Sequence, residues 1–309
     1  MYKKKMGDRT DGYRLNNVDV LFQLIPYVMR TRLDSQCFFE EDIDFAKIDA
    51  MVNDLRRNGY PHLRAMHVII AAVVRLMAMR PHLNRFICGN KAYARNSITV
   101  AIAMKKDMSD EGEETTVKVD FDPMDSLFDV AQKVEKIIMD NKPADVANDT
   151  DVFAGLVGRM PSFILRIFIN MLMWMDRCGI LPKAIIKLSP FHSSFFITNL
   201  GSLGIRSIYH HLYEFGTTSY FIAMGTKDKV LSLNDHGLPV IRKVMSLKFV
   251  TDERICDGFY NASSMLKLKR MLKAPECLLE KLPPEMVVLD NGIVEKKKRW
   301  VRKSKHVNN

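Results

Sequence analysis

The sequence has no pair of cysteines close enough to form a recognisable motif. Cys37, Cys88, Cys178, Cys256 and Cys277 are odd in number and scattered along 309 residues. That spacing indicates neither a zinc site nor a disulfide framework, so no metal is expected and a reducing, cytoplasmic setting is. No apolar stretch follows Met1-Tyr2-Lys3-Lys4-Lys5, so no secretory leader is expected. No repeat stands out at a fixed period. No apolar run has the length of a membrane span. The most hydrophobic helix-like run, Phe163–Met175, has 13 residues and is interrupted by Arg166. The body also lacks excess charge. The net charge is +10, of which Glu295–Asn309 supplies +6 and Lys3–Lys5 supply +3. A near-neutral body argues against a nucleic-acid-binding face.

What is present reads as mixed helix and strand. Residues 1–17 are polar and expected to be a flexible segment. Val18–Arg32 is apolar around Pro26, which predicts a short helix on each side of the proline. Cys37–Asp44 reads as a strand, with Asp44 placed to cap a helix running to about Asn58. His62–Met79 is apolar nearly all round, the mark of a buried central helix. Gly89-Asn90 marks a hairpin turn. Ile98–Met104 and Thr116–Phe121 read as strands around a solvated acidic loop, Asp107–Glu114. Asp125 or Ser126 then caps an amphipathic helix to about Asn141. Residues 149–190 form a helical, apolar insertion. Ser193–Thr198, Thr218–Gly225 and Leu238–Val250 predict further strands, with a helix over Tyr260–Leu272 stopped by Pro275. Residues 286–309 are expected as a basic tail.

Three stretches carry a resemblance. Asn58–Ala103, with its buried helix and hairpin, is similar to the corresponding part of the chloramphenicol acetyltransferase fold. That fold is shared with the catalytic domain of the acyltransferase component of 2-oxo acid dehydrogenase complexes. Phe195–Ile205 resembles the family's Ser/Thr-Asn-x-Gly segment through Thr198-Asn199-Leu200-Gly201. Ser246–Leu279 resembles the closing strand, Asp-His-Arg-x-x-Asp-Gly turn and helix. The resemblance spans about residues 18–280 and implies an α/β (α+β) two-layer sandwich, a mixed sheet covered by helices, over 18–285. It also implies a homotrimer with active sites between subunits and coenzyme A or acyl-CoA as substrate.

Residue by residue, the resemblance puts Thr198 at the oxyanion position, Asp257 at the structural aspartate, and Asn199, Arg254 and Gly258 in support. The sequence departs at the base. The turn reads Asp252-Glu253-Arg254-Ile255-Cys256-Asp257-Gly258, with Glu253 where the family has histidine. Moving a thiol proton costs about 2.7 kcal/mol to an imidazole but about 5.7 kcal/mol to an unshifted carboxylate. Burial would raise the glutamate pKa and narrow that gap. His210 and His211 are candidate substitute bases, with solvated loop histidines as the plainer reading. His192 is read the same way.

No lipoyl domain is expected ahead of the fold, and the chain is expected to differ in this from a standard complex component. The expected activity is a stand-alone CoA-dependent acyl transfer with a modified base. The alternative is a non-catalytic trimer acting as a binding or scaffold module. The basic tail and residues 163–175 add possible contact with a membrane surface, giving a cytoplasmic or peripheral location.

Overall fold

The alternation of Val244–Val250 predicts a half-buried strand. In the computed structural model this run lies inside β9 (Pro239–Asp252), the second strand of a six-stranded sheet. The structure describes residues 7–105, 114–141, 152, 155, 157–234 and 236–290. The strand order is β2 (Gln36–Asp44), β9, β8 (Tyr220–Leu233), β7 (Phe195–Asn199), β5 (Ile98–Lys105), β6 (Glu114–Phe121). β7 runs parallel to β5 and β8, and the other pairs are antiparallel, so the sheet is mixed. Three strands, β1 (Gly12–Arg14), β4 (Lys91–Arg95) and β3 (Arg85–Cys88), make a second sheet. β3 and β4 are joined through Gly89-Asn90, both at positive φ, as a two-residue hairpin turn requires.

Helices α2 (Ala46–Arg57), α3 (Ala65–Met79), α4 (Leu127–Asn141) and α7 (Gly258–Lys273) supply the layer on one face of the large sheet. α3 is its centre. Every residue from His67 to Ala78 is buried. Ile102, Phe195, Ile222 and Phe249 of the sheet belong to the same core. Each fully buried Val, Ile or Leu contributes about 1.5–3 kcal/mol, which is why a run apolar on every side settles here. The opposite face is thinly covered. Ala101, Phe196, Phe221 and Val250 pack there with Leu212 and Tyr213.

Several boundaries differ from the expectations. α1 (Val20–Val28) runs through Pro26 as one helix. The proline forfeits a single backbone bond there, while Asp19 caps the start by accepting from the Leu21 N–H at 2.9 Å. Residues 7–17 are not a loose arm. Arg9 is buried and ion-paired to Asp11 and Asp176, and Gly12–Arg14 pairs with β4. A polar composition concealed this because the charges neutralise one another inside. At the other end the Val288 N–H donates to the Ala78 carbonyl, and both Asp290 oxygens hold Arg85. The fold therefore continues to residue 290, and the rest of the expected basic tail lies outside the described residues. So do residues 107–113 of the acidic loop. The central helix begins at Ala65 rather than His62, and Phe45, not Asp44, occupies the cap of α2. β8 is longer than expected, because the β8–β9 hairpin projects past the sheet. Within the stretch expected as a helical insertion, the structure has α5 (Ser162–Cys178) and α6 (Lys183–Leu188).

Candidate functional site

The turn after β9 is wired before it is exposed. Asp252 is fully buried, and its two oxygens accept from Nε and Nη2 of Arg254, both at 2.8 Å. Asp252 also accepts from the Arg254 backbone N–H at 3.1 Å, and Arg32 Nε approaches it at 3.7 Å. Arg254 Nη1 donates to the Met29 carbonyl at 3.0 Å, tying the turn to the end of α1. A bidentate pair of this kind fixes direction as well as distance. Arg254 is therefore a brace, spent on Asp252 and Met29.

Between these buried residues Glu253 points out. Its backbone N–H donates to the Ser35 carbonyl at 2.8 Å, while the residue itself is exposed within one chain. Its negative charge lies close to the Cys37 thiol on β2. Burial first, then the negative charge of Glu253, pushes that thiol up from its ordinary value. Cys37 is a contact that the turn's own sequence does not announce. It arrives through the β2–β9 register, where Cys37 faces Thr251.

Asp257 closes the turn by capping α7. Its side chain accepts from the Tyr260 N–H at 2.7 Å, an ordinary N-cap. Gly258 begins the helix, exposed, and a methyl group there would meet nothing within 4 Å. Nothing within the chain requires glycine at that position.

The second candidate group sits elsewhere on the sheet. Thr198 pairs with Ala223 of β8, and Ala223 pairs with Lys248 of β9. Glu253 lies five residues beyond Lys248. At ~3.3 Å per residue and ~4.8 Å per strand, Thr198 and Glu253 are separated by roughly 17 Å along the strands and 10 Å across them. The chain does not bring them together. After Thr198, Asn199 leads into a tight turn over Leu200–Leu203. A side chain on Gly201 would strike the Gly225 carbonyl at 2.4 Å, and one on Gly225 would strike the Ser207 nitrogen at 2.4 Å. The glycine of Thr-Asn-x-Gly is thus demanded by close backbone approach.

His210 stacks on Phe221, centroids 4.0 Å apart and planes within 3°, on the thinly covered face of the sheet. Phe221 is one strand and two residues from Thr198. His211 is exposed, with its ring edge on Tyr213. His192 is not a surface residue. It is buried between Ser189, 2.9 Å from Nδ1, and Asp176, 3.2 Å from Nε2. Burial opposes ionisation of Asp176, but His192 and Arg9 outweigh it and hold that carboxyl down at about 2. Ser189, His192 and Asp176 are all buried. The Arg9 contact spends Asp176 on fastening α5 to the N-terminal segment.

A cavity of about 690 Å³ opens beside the brace. Tyr27 and Arg30 at the end of α1, Met173 and Arg177 of α5, and Arg254 are among the residues lining it.

The profile of the 2-oxoacid dehydrogenases acyltransferase (catalytic domain) matches residues 190–280, a segment holding both Thr198-Asn199-x-Gly201 and the turn. No curated protein matches the chain. Among solved structures, a probable dihydrolipoamide acetyltransferase from Listeria monocytogenes is similar at 14% identity and a TM-score of 0.52, covering 83% of this chain and 93% of that one. The dihydrolipoamide acetyltransferase of Azotobacter vinelandii, studied for the role of a serine, a histidine and an asparagine in its mechanism, gives 12% identity and a TM-score of 0.54 over 90% of this chain and 94% of that one. The cubic core of a pyruvate dehydrogenase multienzyme complex gives 12% and 0.51 over 84% and 88%. The fold is that of these acyltransferase cores, as the resemblance implied.

Proposed function

We propose that the protein is a CoA-dependent acyltransferase whose site is completed between copies of the chain. The observation that carries this reading is the placement of the two motif segments. Both fall inside the matched segment, yet Thr198 and Glu253 stand too far apart in one copy to act on one thioester. A homotrimer in which one copy supplies Thr198 and its neighbour the 252–257 turn would bring them together. It would also cover the exposed Glu253 and remove it from water.

In that setting the chemistry balances as follows. The Glu253 carboxylate accepts the proton of the CoA thiol. The thiolate attacks the acyl carbonyl of the second substrate, and the Thr198 hydroxyl donates to the oxyanion that forms. Collapse of the adduct expels the leaving group, which takes the proton back from Glu253. A hydroxyl aimed at the oxyanion accounts for about 2.7–4 kcal/mol in comparable sites. Asp257 acts at one remove, by capping the helix that follows the turn, and Arg254 through its grip on Asp252.

The test is formation of acyl-CoA from CoA and thioester acyl donors across chain lengths. Glu253→Gln should lower kcat by about 10²–10⁴ and Thr198→Val by about 10²–10³. Equal rates in wild type and Glu253→Gln would remove Glu253 from the mechanism. Sedimentation should report a trimer in both.

One observation favours a second reading. A glutamate stands at the base position, already engaged with Cys37, which suits a binding or scaffold module without turnover. Calorimetry separates the two readings. An intact trimer that takes up no CoA supports the scaffold. Activity gained by Glu253→His would show the remaining machinery to be in place.

A further inference from the structure

α5 presents two apolar faces, and the fold uses one. On the inner face Leu172 is buried, Phe168 and Met175 are partly buried, and all three pack with Leu181, Ile186 and Phe215. On the outer face Phe163, Ile164, Ile167, Met171 and Trp174 are exposed, Trp174 at 60%. At 3.6 residues per turn these five positions fall within about 100° of the circumference and cover ~16 Å of helix. That stripe is continuous and rigidly mounted, because the Arg9–Asp176 pair anchors the helix from behind.

The charge around the stripe has one sign. Residues 157–188 hold five basic side chains, Arg159, Arg166, Arg177, Lys183 and Lys187, all exposed. The single acid in that stretch, Asp176, is buried. Of the five, only Arg177 has an acid within ion-pair distance among the described residues, Glu214 at 3.7 Å. α1 adds a second ridge across the same cavity. Val20, Leu21, Leu24, Tyr27 and Val28 are exposed there, and exposed Arg30 follows. Exposed Asp19 stands at the start of the α1 ridge, so the one-sign charge belongs to α5, whose apolar stripe with cations around it matches a surface that is apolar below and anionic above.

We propose that α5, with α1 beside it, docks on an anionic phospholipid bilayer, lying in the interface with Phe163, Ile167 and Trp174 among the acyl chains and the arginines at the phosphates. Such a helix rests in the headgroup plane without spanning. No helix among the described residues is long and apolar enough to cross a membrane. The proposal does not depend on the acyl-transfer reading, since it uses no residue of the 252–257 turn and neither Thr198 nor Asn199.

The test uses the full chain. The sequence has two tryptophans, Trp174 and Trp300, so Trp300→Phe leaves Trp174 as the reporter. Vesicles of mixed phosphatidylcholine and phosphatidylglycerol should shift its emission to the blue and carry the protein in flotation. Vesicles of phosphatidylcholine alone should do neither. Phe163→Ser/Ile167→Ser, with the basic tail untouched and an unchanged thermal melt, should lower the bound fraction about tenfold or more. Flotation of that variant at the wild-type level would overturn the proposal by assigning binding to the tail. Equal binding to neutral vesicles would overturn its electrostatic half. A blue shift that follows protein concentration without lipid, together with a rise in mass, would show that a second copy covers the stripe instead.

Discussion

α3 and α5 are similar in length and both rich in apolar residues, yet they end on opposite sides of the hydrophobic effect. α3 spans 15 residues, twelve of them buried. α5 spans 17, of which only Leu172 and Asp176 are buried. Apolar content determines that a helix needs cover but not what supplies it. For α3 the cover is the sheet, three neighbouring helices and the C-terminal segment. For α5 the chain covers one side and leaves the other to something outside itself. One helix therefore holds the fold, and the other keeps an apolar stripe exposed.

Substitutions can break this contrast, beginning with the largest effect. Ile70→Ala, at a fully buried α3 position, should cost about 3–4 kcal/mol in chemical denaturation, through lost burial and the cavity left behind. A loss below about 1 kcal/mol would show that α3 is not the centre of the core. Next in size is a pH effect at His67 of α3, whose Nε2 also faces Glu135 of α4 at 3.3 Å. His67 Nδ1 accepts the Arg64 N–H at 3.1 Å, which fixes a neutral ring. Burial, then Arg64 and Arg56, lowers its pKa to about 4. The unfolded chain, with a value near 6.5, binds the proton more readily between those two pH values. Stability is therefore full above about pH 6.5 and falls as pH drops toward 4, by about 2 kcal/mol at pH 5. The Asp176 carboxyl of α5 is also held below its ordinary value, and because it is an acid its contribution is present at neutral pH and fades only below about pH 4. His67→Gln should remove its share of the slope between pH 7.5 and 5.

A smaller effect belongs to the end of α5. Gly179 stops the helix in the left-handed region at φ 74°, and Gly179→Ala should cost about 1 kcal/mol in thermal unfolding. Smallest of all, Ile167→Ser on the outer stripe should change the stability of the isolated chain by less than about 0.5 kcal/mol. A large loss there would mean that the stripe is internal after all, and the contrast between the helices would collapse.

Much of this was legible in the chain itself. The all-round apolarity of residues 65–79, the Gly89-Asn90 turn and the strand-turn-helix of 246–273 follow from local chemistry, and local chemistry placed them. The candidate turn was visible because Asp252, Arg254 and Asp257 sit close together in sequence. Its surroundings were not. Cys37 and Arg32 reach the turn from more than 200 residues away, through strand register and the end of α1, which no local spacing records. His192 looked solvated because nothing near it in sequence reveals that Asp176 and Ser189 enclose it. Arg9 escaped notice for the same reason: a buried ion network looks like ordinary polarity until its members are brought together. The separation of Thr198 from Glu253 is also a product of register. The two motif segments that the resemblance assigns to one chemistry lie apart within a single copy.

β2 is an edge strand whose one ladder partner in the large sheet is β9. About 200 residues separate them, a wait of roughly 10–40 s at ribosomal speeds of ~5–20 residues per second. Throughout that interval the nascent chain holds Phe39 and Ile43 without the strand that will pair with them. The β2–β9 ladder, and with it the approach of Cys37 to Glu253, can form only once β9 and the turn after it have emerged. One strand, β9, thus joins β2 to the rest of the sheet and carries the candidate turn to its place beside Cys37 in the same step.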